Sequence, residues 1–261
     1  MSKPLALITN DDGIDSWFLR VLVEAMLDKF DVVVAAPMGE QSWIGRAMSR
    51  RRQIDMAEVA GLHCPAYALD GTPSDCVNIA LGHLMGDRKP DVVCSGINLG
   101  YNACLPLILS SGTVAGAMEG AFWGLPAVAF SHVIPQVDFE AIRQKNGQAE
   151  GEMAESVKCS AVQGVELALA VTGQRPTSPT VHNLNFPKRT YADTEVVRTI
   201  PSPMPMHSLF ARTGENHFHF NKVEREPVPH GQLDDMQALN AGKISYTVLD
   251  LAAIAVPTPA S

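Results

Sequence analysis

Leu5 to Thr9 is a short, unbroken apolar run, and Ile14 to Phe30 follows with Phe18, Val21, Leu22, Ala25 and Met26 at helical spacing. Asp31 to Ala36 is a second β-branched run, stopped by Pro37. The pattern predicts a βαβ unit whose two strands are parallel neighbours, buried on both faces. Further along, Ala66 to Leu69 is a candidate short strand, and Thr72-Pro73-Ser74-Asp75 opens a helix reaching about Met85. Asp91 to Ile97 and Leu125 to Ser131 are buried strands flanking an Ala- and Met-rich helix from Val114 to Trp123, which Gly124 stops. Residues 132 to 152 are polar and mixed, and are expected to be a loop or insertion. Met153 to Val171 is amphipathic and helical, and Val181 to Phe186 is a last core strand closed by Pro187. From Tyr191 the alternation weakens and prolines crowd in at 201, 203, 205, 227 and 229. The expected organisation is an α/β domain over 1–190 with a mostly parallel sheet, and an extension of hairpin and loops over 191–261.

Composition agrees with a folded globular chain: 261 residues, 46% hydrophobic and 18% charged. The net charge of −8 speaks against general nucleic-acid binding, which needs a basic stripe. One basic cluster, Arg46 with Arg50, Arg51 and Arg52, fits a solvated loop or a segment that steers an anion. No stretch approaches the roughly 18 consecutive apolar residues of a membrane span. The five cysteines are scattered with no C-x-x-C pair, and Met1-Ser2-Lys3-Pro4 enters the first strand with no apolar signal core, so the expectation is a cytoplasmic protein with free thiols.

In an open parallel sheet, ligands bind beyond the carboxyl ends of the strands, where the strand order reverses. Asn10-Asp11-Asp12-Gly13 follows the first strand, Gly39 to Gly45 the second, and Ser95-Gly96-Ile97-Asn98 ends the third clear one. Two adjacent carboxylates repel unless a cation or solvent screens them. Asp11 and Asp12 offer hard oxygen ligands, and Ser42 and Asn98 complete an oxygen shell for Mg²⁺, Mn²⁺ or Ca²⁺. Taken alone, Asp-Asp-Gly fits more readily an ordinary turn with Asp12 capping the next helix. Ser111-Gly112-Thr113 stands at a helix start, suited either to an anion or to a plain cap. Gly71 to Asp75 has the same ambiguity, with a structural role favoured. Asn183 and Asn185 share one strand face without a clear purpose, His217 and His219 suit a surface strand, and His132 is an outside candidate for an acid near the sheet edge.

Together these motifs are specific. Asn10 to Gly13, Ala36-Pro37 with Ser42 and Gly45, Gly71 to Val77, Ser95 to Asn98 with Gly100 and Asn102, and Ser111 to Val114 with Glu119-Gly120 resemble, in order, the SurE family. The resemblance spans roughly residues 5 to 187, and Asp234 to Thr247 is similar to that family's C-terminal segment. It implies a Rossmann-like fold and a metal-dependent 5′-nucleotidase with broader acid phosphatase activity. It also implies an extension that exchanges between subunits, giving a homodimer or homotetramer. By the same resemblance Asp11, Asp12, Ser42 and Asn98 hold one divalent cation per subunit, Mg²⁺ or Mn²⁺, with Ca²⁺ as a crystal substitute. Asp11, Asp12 and Asn98 are then the catalytic set, and Asn98, Ser111, Gly112 and Thr113 line the phosphate site. The nucleophile, water or Asp11, stays open.

The chain departs from the family pattern between Asn102 and Ser111, which is one residue longer and lacks the expected acid. Ala47 also replaces a usual hydroxyl, and Pro201 to His219 matches the family extension poorly. An alternative of another class is a catalytically weak member that binds a nucleotide or phospholigand as a regulatory module. A phosphorelay receiver lacks its later Asp and Lys here, and a haloacid-dehalogenase-type phosphatase would need Asp-x-Asp.

Overall fold

The structure, a computed structural model, describes residues 2–205, 207–221 and 231–254. β1 (Leu5–Thr9), α1 (Trp17–Leu27) and β2 (Asp31–Pro37) form the expected unit, with Leu5 opposite Asp31 and Ile8 opposite Val34 in parallel register. The helix is shorter than its apolar spacing because Gly13 to Ser16 turns first, with Ser16 N–H donating to Gly13 O at 3.1 Å. β3 (Met56–Glu58) is a short antiparallel edge on β4 (Ala66–Leu69), and α2 (Pro73–Ile79) continues into a π-helical turn over Ala80–Leu84. Thr72 and Asp75 form a reciprocal capping box at the start of α2, the structural role favoured from sequence.

Then come β5 (Val92–Leu99), α3 (Leu105–Ser110), α4 (Gly112–Phe122), β6 (Ala127–His132), α5 (Gln136–Arg143), α6 (Gly151–Val171) and β7 (Thr180–Phe186). The stretch expected as loop at 132–152 thus contains a helix. α5 has no fully buried residue, and only Phe139 and Ile142 pack on the core, so it carries too little apolar periodicity to be seen in sequence.

The rest supplies β8 (Val196–Thr199), β9 (Phe210–Gly214), β10 (His217–Phe220), α7 (Asp235–Asn240), β11 (Ile244–Asp250) and a 3-10 turn over Leu251–Ile254. β9 and β10 make the expected hairpin, with His217 and His219 exposed on it. β11 and β8 add to the main sheet: β11 lies antiparallel to β7, and β8 parallel to β11. Prolines 227 and 229 lie outside the described residues.

The sheet runs β3-β4-β2-β1-β5-β6-β7-β11-β8, and β4, β2, β1, β5, β6 and β7 are mutually parallel. Ala6 and Ile8 of β1 face the core under α1 and α6, while Leu5 and Leu7 face the core under α2. Burial on both faces explains the unbroken apolar runs. The chain steps outward from β1 to β2 and β4, then returns to place β5 on the other side of β1. That reversal opens a crevice between the loops after β1, β2 and β5.

α4 seats unusually close to the sheet through Gly112, Gly116 and Gly120, one stripe at four-residue spacing. A Cβ on Gly116 would sit 2.7 Å from Thr9 Cγ2, and one on Gly120 2.6 Å from Val93 Cβ. The stripe brings the first turn of α4 against the end of β1. Among the described residues no helix is long and apolar enough to cross a membrane.

Candidate active site

A cleft of about 730 Å³ opens at the strand reversal and is lined by Asp11, Ser42, Asn98 and Ser111 among others. Each reaches it from a separate segment held by specific bonds. Asn10 Nδ2 donates to Gly13 O at 2.9 Å, closing the turn that presents the acid pair. Asp11 is almost fully buried, and its Oδ1 accepts from the Thr113 hydroxyl. Asp12 Oδ2 accepts from Leu99 N–H at 2.9 Å. Asp12 therefore does not cap α1, whose N-cap residue is Ser16 with no side-chain cap bond. Of the capped-turn reading of Asp-Asp-Gly, the turn stands and the cap by Asp12 does not.

Asn98 Nδ2 donates to Gly100 O at 2.8 Å, which turns Oδ1 away from that carbonyl and leaves it as an acceptor. Ser42 is exposed, and its hydroxyl donates to Glu40 Oε1 at 2.7 Å. Its loop is stitched along its length. Gln41 N–H donates to Asp11 O at 2.7 Å, Gly45 N–H to Ser110 O at 2.9 Å, and Ser49 N–H to Asp75 Oδ1 at 3.1 Å. Arg46 reaches the buried Glu119 of α4 at 2.6 Å, and Arg52 pairs with Asp70 at 2.5 Å. Half of the basic cluster thus fastens the loop.

Of the Ser111 to Thr113 segment, Ser111 lines the cleft and its hydroxyl oxygen caps α4 by accepting from Val114 N–H at 3.0 Å. Gly112 packs on Asp11, where a Cβ would stand 2.7 Å from Asp11 Cβ. Thr113 is fully buried, and its contribution passes through Asp11. His132 is also fully buried, its ring bonded to Val133 O and Ser156 Oγ at 3.0 Å each. Burial lowers its pKa from 6.5 to about 4, so it is a neutral core imidazole.

Electrostatics single out the acid pair. Burial raises Asp11 from 3.8 to about 6, against the bonds from Thr113. Asp12 is raised well above 3.8, first by burial and then by the Asp11 charge. Two adjacent carboxylates, Asp11 buried and Asp12 half-buried, both raised in this way suit a site that a cation neutralises. The donor set fits a hard divalent ion: two carboxylates, one amide oxygen and one hydroxyl, with no thiol or imidazole among the residues lining the cleft. Among the described residues no group of three or more His, Cys, Asp or Glu is placed to hold a metal ion, so an ion here would rely on the amide and hydroxyl oxygens as well as the two acids.

Several supporting residues were not identified from sequence. Asn183 and Asn185 of β7 hold the backbone of Asn102: Asn102 N–H donates to Asn185 Oδ1 at 2.7 Å, and Asn102 O accepts from Asn183 Nδ2 at 2.9 Å. Their same-face spacing was the available signal. Asp235, from the C-terminal segment, accepts from Cys104 N–H at 2.7 Å and Ser202 N–H at 3.0 Å. The longer 103–110 loop, which lacks an acid of its own, forms α3 and is fastened by this distant carboxylate.

Comparison with known proteins relates the sequence and fold to a family. The model of the family described as survival protein SurE matches residues 6–204. A 5′-nucleotidase SurE of Methylocella silvestris is 33% identical over 259 residues, covering 97% of this chain and 95% of that protein. One of Solidesulfovibrio magneticus is 38% identical over 206 residues, covering 77% and 72%. With one of Cytophaga hutchinsonii, 46% identical over 133 residues, the chain spans only about half the relative's length, 51%. The crystal structure of a SurE protein from Aquifex aeolicus superposes with a TM-score of 0.69 at 28% identity, covering 95% of this chain and 94% of that one. The fold and the ordered match over most of its length place this chain in the survival protein SurE family.

Proposed function

We propose that this chain is a divalent-metal-dependent phosphomonoesterase that hydrolyses nucleoside 5′-monophosphates and accepts other phosphate monoesters. The observation that carries it is the adjacent pair Asp11 and Asp12, with Asp11 buried at a cleft whose described lining contains no Lys, Arg or His, and Asp12 half-buried in the adjoining pocket beside Glu40 and its ion-pair partner Arg143. A phosphate dianion has no reason to enter such a cleft unless a cation sits on the acids. The names of the relatives, 5′-nucleotidase SurE, support the same chemistry.

Asp11, Asp12, Ser42 and Asn98 would hold Mg²⁺ or Mn²⁺, which would supply Lewis acidity and countercharge to the phosphate. Thr113 and Gly112 fix Asp11 from behind, and Leu99 N–H fixes Asp12. Ser111, the second N–H of Asn98 Nδ2 and the first turn of α4 face the remaining phosphate oxygens, where the helix dipole favours negative charge. The extension after residue 190 serves homodimer or homotetramer assembly in this reading.

The test is phosphate release from AMP and p-nitrophenyl phosphate with Mg²⁺, with Mn²⁺ and with EDTA. Release with either metal and none with EDTA is expected. Tight AMP binding with no metal-dependent turnover would instead establish the regulatory phospholigand-binding module.

A further inference from the structure

The cleft has two chemically distinct ends. Beside the oxygen donors it is lined by aromatic residues from four separate parts of the chain: Trp43 next to Ser42, Tyr101 after β5, Phe139 of α5, and Phe220 of β10. A Cβ on Gly100 would lie 3.8 Å from Phe139 Cε2 and 3.7 Å from Asn98 Nδ2, so the Phe139 ring and the Asn98 amide both border Gly100. Trp43 and Phe220 meet edge to face with centroids 5.0 Å apart, yet each remains well exposed, at 38% and 40%. An apolar ring held in place but left open to a cleft costs solvation and suits a flat apolar ligand. Trp43 also adopts a φ of 60°, rare for a bulky side chain and retained where the surroundings enforce it.

We infer that Trp43 is a specificity-determining residue whose ring, braced by Phe220, stacks on the nucleobase of a nucleoside monophosphate held at Asp11 and Asp12. The inference rests on the phosphomonoesterase reading and adds the leaving-group half of the substrate. The cleft volume of about 730 Å³ lies within the range that accommodates small-molecule ligands of that size. Its described lining carries no basic side chain, and Glu140 there is already paired with Arg143 at 2.9 Å, so the cleft offers no free cation for a second or third phosphate. The base, sequence-tolerant and uncharged, is the part of the substrate these rings can hold.

AMP and ribose 5-phosphate differ only by the base, and their ratio isolates its contribution. In wild-type protein with Mn²⁺, kcat/KM for AMP is expected to exceed that for ribose 5-phosphate by about tenfold, the scale of one base–aromatic stack, with the difference in KM. Trp43→Ala brings the ratio to within about twofold, and Trp43→Phe keeps most of it, since a smaller ring still stacks. A wild-type ratio near one, or a ratio unchanged in Trp43→Ala, overturns the inference. Hydrolysis of neither compound would defeat the phosphomonoesterase reading alone; the same ratio taken from calorimetric Kd values with Mn²⁺ then decides the stacking.

Discussion

Asp12→Asn is expected to reduce metal-dependent phosphate release from AMP by about a thousandfold while the protein stays folded, the loss of several kcal/mol of charge stabilisation. The fold survives because an amide oxygen can still accept the Leu99 N–H that Asp12 Oδ2 takes at 2.9 Å. What disappears is one negative charge of the acid pair. Stability should move in the opposite direction. Burial raises Asp11 from 3.8 to about 6, and burial with the Asp11 charge raises Asp12 well above 3.8. A carboxylate raised on folding contributes stability that is fully present below its unfolded pKa and lost as pH rises through its folded pKa. The acid pair therefore lowers the Tm of metal-free wild type relative to Asp12→Asn at pH 7.5 more than at pH 4, and a divalent cation offsets the loss by binding the ionised pair. Asp12→Asn should show a smaller pH-dependent loss and a smaller gain with metal. Retained turnover at saturating Mn²⁺, or an equal metal-induced rise in Tm, would contradict the ligand assignment.

Gly112→Ala is expected to cut kcat/KM by about a hundredfold with a modest change in stability. The new Cβ would stand 2.7 Å from Asp11 Cβ, 2.8 Å from Asp11 Oδ2 and 3.1 Å from Gln41 O. Either the carboxylate or the first turn of α4 must move, and a displacement near 1 Å at reacting groups costs about 10²-fold. Alanine favours the helix over glycine by about 1 kcal/mol, which offsets part of an overpacking cost of about 1–3 kcal/mol. Steady-state kinetics beside a melting curve separates the two. A variant with full activity would show that α4 does not set the position of Asp11.

How much of this was legible beforehand depended on whether a signal was local. The β1-α1-β2 unit, β5, β6, α6 and β7 were visible because strands covered on both faces are apolar without interruption and α6 carries helical spacing. α5 was not, since it lies on the surface with two anchoring side chains. β8 and β11 gave weak alternation because Ser245, Thr247 and Thr199 occupy the seam, where the Thr199 hydroxyl bonds the hydroxyls of Ser245 and Thr247 at 2.8 Å each. Asp11 and Asp12 stood out as adjacent acids, yet what shows that Asp12 is not spent on capping α1 is that Leu99 N–H donates to its carboxylate, a contact across 87 residues. The roles of Asn183, Asn185 and Asp235 are likewise set by partners far away in the chain. The glycine stripe of α4 is local in sequence, but its meaning lies in what it touches, Asp11, Thr9 and Val93.

The central claim is that Asp11 and Asp12 hold a catalytic divalent cation, and anomalous scattering from crystals grown with Mn²⁺ and inorganic phosphate tests it most directly. One manganese peak per chain is expected, coordinated by Asp11, Asp12 and Asn98, with a phosphate oxygen on the open side toward Ser111. Full Mn²⁺ saturation with the peak elsewhere, or phosphate bound beside an acid pair that carries no manganese, would contradict it.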